Sequence, residues 1–216
     1  MTYLDIINNV LRRLREDEVS TWNETAYSTM AGDYINDAVS LVQSAHNWSA
    51  LFTDIDVTTS SGTDEYTLDG LGQMGQIYTA YNDTDNCNLK QIPLRDLKRM
   101  VDFGEPGAQG APSYYAFIEP ASDDDPKIKV YPTPNATQTL RFSVKREQGI
   151  ISDDATQLLV PEQPVIQYAL AYLMEERGEL GGASALVAFE RAKATLGSYV
   201  ALDAERHPDV YRWEAY

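Results

Sequence analysis

Few residues of this chain could carry out nucleophilic or acid–base chemistry. It has two histidines, His46 and His207, and a single cysteine, Cys87. A serine-type catalytic triad or a histidine-based zinc site would have to use one of these histidines. The sequence predicts that each histidine ends a helix and that Cys87 lies in a hairpin with no neighbouring base in the chain. We therefore assign no catalytic residue.

Carboxylates and glycines offer further candidates, and each has a simpler explanation. Glu175 and Glu176 could be the acid and base of a glycosidase, but among 33 acidic residues such pairs arise by chance. The run 123–125 consists of three aspartates, whereas calcium loops space their oxygen ligands and include a glycine for the sharp turn. The glycine-rich stretches 70–75 and 104–110 lack the Lys-Ser or Lys-Thr of a phosphate-binding loop. The sequence therefore predicts no metal site and no cofactor.

The charge of the chain limits the partners that it could bind. Its formal net charge is −16, so DNA phosphates and anionic membrane surfaces would repel the chain as a whole. No apolar run approaches the ~20 residues of a membrane helix, and we expect no signal peptide. One local basic cluster contains Lys90, Arg95, Lys98 and Arg99. It is either a solvated face, a contact with acidic surface on a neighbouring subunit, or a weaker contact with nucleic acid.

Helical periodicity marks the first fifty residues. Thr2 is a candidate N-cap for a first helix. The apolar residues of this helix recur on one face, namely Leu4, Ile7, Leu11 and Leu14. A second helix is predicted over about 24–46, weakened somewhat by Gly32. Trp48 follows it and is expected to cover the end of this helical pair.

Helical periodicity returns in the last third of the chain. A helix is predicted to open at Pro161 or Pro164, because proline is favoured in a first helical turn, and glycines in 178–182 end it. The last helix is predicted over about 183–206, and Pro208 terminates it. Its expected buried stripe is Leu186, Phe189, Ala192, Leu196, Tyr199 and Val200.

Between the helical ends, a period of two predicts β-strands. Two successive hairpins come first, 53–59 with 65–68 and 77–81 with 87–92. Three later strands are predicted at 114–118, 127–131 and 139–145. A short helix over 93–103, with Leu94, Leu97 and Val101 on one face, separates the two groups. The segments 104–112 and 147–159 are expected to be loops.

The order of these elements predicts an α+β fold in one domain with a protruding β part. Residues 1–50 and 160–207 are predicted to form a helical bundle from the N- and C-terminal helices. Residues 51–159 are predicted to form a central β-rich insertion of hairpins. Residues 208–216 are predicted to form a C-terminal docking tail.

The predicted tail is rich in side chains that dominate protein interfaces. After the helix-breaking Pro208 come Tyr211, Arg212, Trp213 and Tyr216. Tyr, Trp and Arg are enriched among interface hot spots, and a flexible segment with aromatic anchors suits docking into a groove on another chain. These residues either bind a partner chain or fold back onto the helices of their own chain.

Several segments of the sequence together resemble a known family. They are residues 4–11, residues 38–48, the segment 159–162 with Tyr168, Ala169 and Tyr172, and the final long helix. In order and length they resemble the head-to-tail adaptor proteins of short-tailed bacteriophages, also called tail tubular protein A or gatekeeper proteins. The likeness is one of architecture and pattern, and it covers most of the chain.

This resemblance implies a structural virion protein at the head–tail junction, assembled in the cytoplasm of the bacterial host. Such adaptors form a ring, typically of twelve copies, between the portal protein and the tail nozzle protein, and DNA passes through it without sequence-specific binding. Their C-terminal segments dock on the portal. The resemblance therefore implies portal-binding residues in the tail, namely Pro208, Tyr211, Arg212, Trp213 and Tyr216. Candidate contacts with a neighbouring subunit or the nozzle are Gly104, Glu105, Pro106, Gly107 and Gln109.

Other functions stay open on the sequence alone. They are a virion-associated cell-wall hydrolase, another structural component of the neck or tail, and a free-standing binding module. The resemblance itself implies no catalytic residue, no cofactor and no membrane contact. In a ring, acidic charge lining the lumen would limit the sticking of DNA within the ~8 Å screening length at physiological salt.

Overall fold

The computed structural model of the protein describes residues 1–103, 108–118, 125–178 and 183–206. These residues form five α-helices, which are α1 (Tyr3–Arg13), α2 (Ala26–Ala45), α3 (Leu94–Phe103), α4 (Glu162–Glu176) and α5 (Ala183–Arg206). They also form eight strands, which are β1 (Phe52–Thr58), β2 (Glu65–Thr67), β3 (Gln76–Asn82), β4 (Cys87–Asn88), β5 (Lys90–Gln91), β6 (Tyr114–Phe117), β7 (Lys127–Tyr131) and β8 (Thr139–Lys145). Helices at both ends and two sheets between them confirm the predicted α+β class.

The chain divides into two compact units. The first, called the helical unit below, consists of residues 1–50 and the described residues from 148 onward, and it contains α1, α2, α4 and α5. The second, called the β unit, spans Leu51–Glu147 and contains α3 and the eight described strands.

Helix α1 begins at a reciprocal cap that its sequence encodes. The Thr2 hydroxyl accepts a hydrogen bond from the Asp5 backbone N–H at 3.2 Å, and the Thr2 N–H donates to the Asp5 carboxylate at 3.0 Å. Two N–H groups at the helix start are thereby satisfied, which confirms Thr2 as the N-cap. The buried face of the helix is wider than the predicted stripe, and it contains Tyr3, Ile6, Ile7, Val10 and Leu11.

A glycine allows α2 to approach Tyr3 of α1. The Tyr3 ring is fully buried, and a Cβ atom built on Gly32 would lie 2.6 Å from the Tyr3 hydroxyl oxygen. The Asn36 side-chain amide donates to that hydroxyl at 3.3 Å. Burial, reinforced by the nearby Asp33 carboxylate, raises the pKa of Tyr3 to about 12, so the hydroxyl stays protonated. Gly32 therefore serves close helix packing, beyond the small loss of helix propensity that the sequence indicates.

Helix α4 packs against α1, α2 and α5, so the two ends of the chain build one unit. The Tyr34 ring of α2 stacks on the Tyr172 ring of α4, with the ring centroids 5.8 Å apart. Just after α4, the Arg177 guanidinium donates to the Tyr27 hydroxyl at 2.7 Å and to the Leu14 carbonyl at 3.3 Å. These contacts fasten the end of α4 to the first two helices.

The β unit contains two four-stranded sheets, with strand orders β1-β8-β3-β4 and β2-β7-β6-β5. Alternate residues of β8, namely Leu140, Phe142 and Val144, are fully buried. They belong to an apolar core to which strands of both sheets contribute. The Phe142 ring meets the Tyr115 ring of β6 edge-on, with the centroids 5.6 Å apart.

Two of the predicted strand pairings differ from the structure. The prediction of a hairpin between 53–59 and 65–68 is wrong, because β1 pairs with β8 and β2 pairs with β7, in separate sheets. The hairpin that begins with β3 is confirmed, because β3 pairs with β4 through Tyr81 opposite Asn88 and Asn82 opposite Cys87. Its returning segment then leaves the sheet, since β5 runs parallel to β6 in the other one. Burial of Leu140, Phe142 and Val144 in β8, which is distant in sequence from β1, favours the pairing of β1 with β8 over the local turn signal.

Candidate functional site

The residue types of a hydrolytic triad meet at one end of the helical unit. The His46 Nε2 atom lies 3.1 Å from Oδ2 of Asp203, and the Ser49 hydroxyl donates to Oδ1 of Asp203 at 2.7 Å. The Ser49 backbone N–H also donates to Oδ2 at 3.1 Å. In a nucleophilic triad, the histidine accepts the serine proton and the carboxylate holds the other histidine nitrogen. Here the carboxylate itself accepts the hydrogen bond of the serine hydroxyl, so the serine does not donate to the histidine, and it binds the start of the 3-10 helix Ser49–Leu51.

The pKa of Asp203 is consistent with a structural contact between α5 and Ser49. Burial alone would raise the pKa of its carboxyl group, but the two hydrogen bonds from Ser49 and the neighbouring His46 together lower the pKa below its ordinary value. The ionised carboxylate thus joins α5 to the turn that follows α2. The His46 ring also meets the Trp48 ring edge-on, with the centroids 5.1 Å apart. The indole of Trp48 is buried and donates to the Val42 carbonyl at 2.7 Å.

The aspartate run considered for calcium is described only at Asp125. The two carboxylate oxygens of Asp125 accept hydrogen bonds from the backbone N–H groups of Gly70 and Gly72, each at 2.9 Å. This carboxylate therefore shapes the glycine-rich turn before β3. Across the described ranges, no group of three or more His, Cys, Asp or Glu side chains is placed to hold a metal ion.

The predicted docking tail and most of the predicted contact loop lie outside the described residues. These are Pro208, Tyr211, Arg212, Trp213 and Tyr216 of the tail, and Gly104, Glu105, Pro106 and Gly107 of the loop. Gln109 is described, and it forms an isolated parallel bridge with Thr133. Its contact with a neighbour or a nozzle protein stays a prediction.

Helix α3 exposes most of its surface, although a single apolar face was predicted for it. Leu97 is buried, whereas Val101 of the same predicted face is 39% exposed. Arg95, Arg99 and Phe103 follow one another at intervals of four residues on the outer side, and Phe103 is 85% exposed. Singly exposed apolar side chains are ordinary, but an aromatic ring in line with two arginines has the composition of an interface.

A cleft beside α3 brings lysines together without creating an anion site. Its volume is about 650 Å³, and Lys98, Lys127 and Lys129 contribute to its lining. The Lys129 ammonium is neutralised by Asp64 at 2.9 Å and Glu65 at 3.2 Å. The cleft therefore presents both positive and negative charge. Such a surface is better suited to binding another protein than to binding a phosphate group.

Helix α5 buries few of its described side chains. Of its described side chains, Ala185 and Ala192 are buried, and the remainder are half-buried or exposed. Leu186 was predicted to be buried but is 70% exposed, and the adjacent Val187 is 61% exposed. Gly197 also lies on the outer side, where an added Cβ atom would meet no atom within 4 Å. The outer face of α5 is therefore a candidate surface for another protein.

The sequence indicated the arginines of α3 as part of a basic cluster, but the outer face of α5 was missed. Leu186 stands three residues before Phe189 and ten before Leu196 of the predicted stripe, so the 3.6-residue period alone assigned it to the core. The periodicity of a helix cannot tell a face buried within the chain from one that a partner covers. The small residues near Gly197 were the signal in the sequence that this part of α5 has an exposed outer face.

Comparison with known proteins gives one match along almost the whole chain. A family model described as SU10 adaptor protein matches residues 1–212. No curated protein has a matching sequence. None of the described helices combines the length and the hydropathy needed to cross a membrane.

Proposed function

This chain belongs to the SU10 adaptor protein family, and we propose that it is the head-to-tail adaptor of its phage. Membership makes it a structural phage protein and a component of the virion. In the proposed function, copies of the chain form a ring, twelve in number, between the portal protein and the tail nozzle. DNA passes through this ring during ejection, and assembly takes place in the cytoplasm of the bacterial host. The proposed function requires no catalysis.

The observation that carries this proposal is the extent of the family match. It covers residues 1–212, and so includes the terminal helices as well as the β-rich middle. A match confined to the β unit would have supported only a shared module. A match over both units supports a shared function for the chain as a whole.

We propose that the terminal helices form a bundle that faces the portal, with the 208–216 tail as its docking segment. The exposure of α5 supports this proposal, because Leu186 and Val187 present apolar surface to solvent on the helix that leads into the tail. Exposed apolar surface of this kind is stabilised when a partner covers it. The anchor that joins α5 to Ser49 and His46 through Asp203 would hold the base of the tail in a fixed position.

The acidic charge supports passage of DNA without retention. The formal charge of −16 on each copy is repeated around a ring, and phosphates are repelled within about 8 Å of such a surface at physiological salt. We propose that acidic residues of the chain line the lumen. A map of the carboxylates on the ring in which most of them face outward would contradict this part of the proposal.

The test is reconstitution with the portal protein of the same phage, followed by electron microscopy. The full chain is expected to form rings on the portal. A chain lacking residues 208–216 is expected to lose docking, and Leu186→Asp combined with Val187→Asp is expected to weaken it. Ile150→Asp is the matched control, since Ile150 is 87% exposed in the same unit but lies outside α5.

The outcomes separate the parts of the proposal. A full chain that forms no ring on the portal contradicts the adaptor function. Rings that form equally well without residues 208–216 contradict the portal-docking function of the tail. If Ile150→Asp weakens docking as much as the pair on α5, the effect is one of general surface charge, and the α5 face is not the contact.

A further inference from the structure

Two helices of this chain carry exposed charges of opposite sign at the same spacing. On α3, Arg95 and Arg99 are both exposed, and Phe103 follows after four more residues. Four residues of a helix rise about 6 Å, and residues four apart lie on one face. The outer side of α3 therefore presents two guanidinium groups and then an aromatic ring along one stripe.

The matching stripe lies on α2 in the helical unit. Asp33 and Asp37 are exposed and four residues apart, and the half-buried Leu41 follows after four more. Neither aspartate takes part in any of the ion pairs within the part of the chain that the structure describes. Two unpaired carboxylates one turn apart repel each other, so cations supplied by another molecule would stabilise this face.

We propose that the α3 stripe of one copy docks on the α2 stripe of a second copy of this chain. With the helices parallel, Arg95 meets Asp33, Arg99 meets Asp37, and Phe103 meets Leu41. The contact joins four charged groups and two apolar groups in one register. It rests on the proposed ring, and it identifies the surfaces through which neighbouring subunits meet.

In the proposed ring this contact is heterologous, with the α3 stripe of each copy on the α2 stripe of the next copy. A heterologous contact leaves a free α2 stripe on one partner and a free α3 stripe on the other, and repetition closes a ring when the rotation permits. The net charge of the chain also requires charges of opposite sign at the contact between copies. Copies with a net charge of −16 repel one another, and the arginines of α3 place positive charge at the point of contact.

The Arg95 guanidinium has a neighbour on its own helix, and that contact is too weak to occupy it. Its Nε atom lies 3.7 Å from the Asp96 carboxylate, and both side chains are well exposed. Exposed pairs of this kind contribute little, because water and salt screen them. The guanidinium fork stays available for a carboxylate on a neighbour, where partial desolvation strengthens the pair.

A charge swap tests the contact with the full chain and the portal protein of its phage. Arg95→Asp with Arg99→Asp, or Asp33→Arg with Asp37→Arg, is expected to abolish rings in electron micrographs. The chain that carries all four changes is expected to restore them, since the same pairs form with reversed sign. Arg12→Asp with Arg13→Asp is the matched control on the exposed surface of α1, and it is expected to leave rings unchanged.

Disulfide cross-linking provides a second measurement. In a Cys87→Ser background, an Arg99→Cys chain is mixed with an Asp37→Cys chain and oxidised mildly. The expected product is a covalent pair that contains one chain of each kind, in excess over pairs of like chains. Circular dichroism identifies any variant that fails to fold, and such a variant is replaced by Arg95→Gln with Arg99→Gln or Asp33→Asn with Asp37→Asn, for which the same loss of rings is expected.

Three results would overturn the inference. They are rings from either two-residue charge reversal at the wild-type level, no recovery in the four-residue swap when each parent folds, and cross-linked pairs of like chains only. In these cases a wild-type chain that still forms rings leaves the adaptor function standing. A wild-type chain that forms no ring overturns both proposals.

Discussion

Replacing Gly32 by alanine sets two effects of opposite sign against each other. Alanine in a helix interior is favoured over glycine by about 1 kcal/mol. At a helical position with open space around it, Gly→Ala would therefore raise the free energy of unfolding. At Gly32 the new Cβ atom would lie 2.6 Å from the Tyr3 hydroxyl oxygen. Tyr3 is fully buried and its ring is rigid, so the atoms must separate by a movement of the packed α1–α2 pair. Overpacking of this kind costs about 1–3 kcal/mol.

The net expectation is that Gly32→Ala lowers the free energy of unfolding by about 1 kcal/mol. In a chain of this size, that change corresponds to a decrease in Tm of about 2–4 °C. Urea denaturation followed by circular dichroism measures it. The matched control is Gly197→Ala in α5, where a Cβ atom meets nothing within 4 Å, and this variant is expected to gain up to about 1 kcal/mol.

A Tyr3→Phe background isolates the contact responsible. It removes the hydroxyl group, and the next atom of that ring, Cζ, lies at an ordinary 3.5 Å from the added Cβ. In this background Gly32→Ala is expected to become stabilising, with a coupling of about 2 kcal/mol between the two positions. If Gly32→Ala stabilises the wild-type chain as much as Gly197→Ala does, the packing argument is wrong. If it destabilises both backgrounds equally, the hydroxyl is not the obstacle.

Three further substitutions test contacts that hold the helical unit together. Asp203→Asn is expected to cost about 2 kcal/mol at neutral pH, because a charged acceptor is lost. Since the folded state lowers the pKa of Asp203, its contribution is present above the unfolded pKa of about 3.9 and is lost as the pH falls through the folded value. Urea titrations of both proteins should therefore differ at pH 7 and converge in strong acid, and a constant gap would refute the assignment. Asn8→Ala removes hydrogen bonds to the Val19 N–H at 2.9 Å and the Val19 carbonyl at 3.0 Å. An expected loss of about 1–2 kcal/mol should appear in the urea midpoint, whereas an unchanged midpoint means that water replaces the amide. Arg177→Lys loses the fork that reaches Tyr27 and Leu14, so a decrease of about 1 kcal/mol is expected. Equal stability of the lysine variant would show that charge alone suffices there.

Local signals in the sequence sufficed for some elements of the fold. The cap at Thr2 depends on a residue three positions away, and the turn between β3 and β4 depends on the polar residues within it. The pairing of β1 with β8 was missed because its cause is the burial of Phe142 and its neighbours, far along the chain. The need for glycine at position 32 was missed for the same reason, since it is set by Tyr3 on another helix.

The candidate surfaces also differ in how far the sequence alone predicted them. The arginines of α3 were recognised from their clustering in sequence, but the complementary Asp33 and Asp37 were not. Two aspartates in a chain with 33 acidic residues carry no signal until their exposure and spacing on α2 are known. Asp203 was missed because it acts on Ser49, which lies 154 positions earlier in the chain. The tail stays a prediction from its residue types.

The division of the helical unit between the two ends of the chain has a consequence for synthesis on the ribosome. Helices α1 and α2 emerge first, but the face of α2 that packs on α4 must wait until the entire β unit has been translated. At about 5–20 residues per second, translation of the β unit alone makes this delay roughly 5–20 seconds. The β unit is continuous in sequence and can complete its core during that interval. Nascent chains are therefore expected to hold a folded middle while their first helices are still exposed to chaperones.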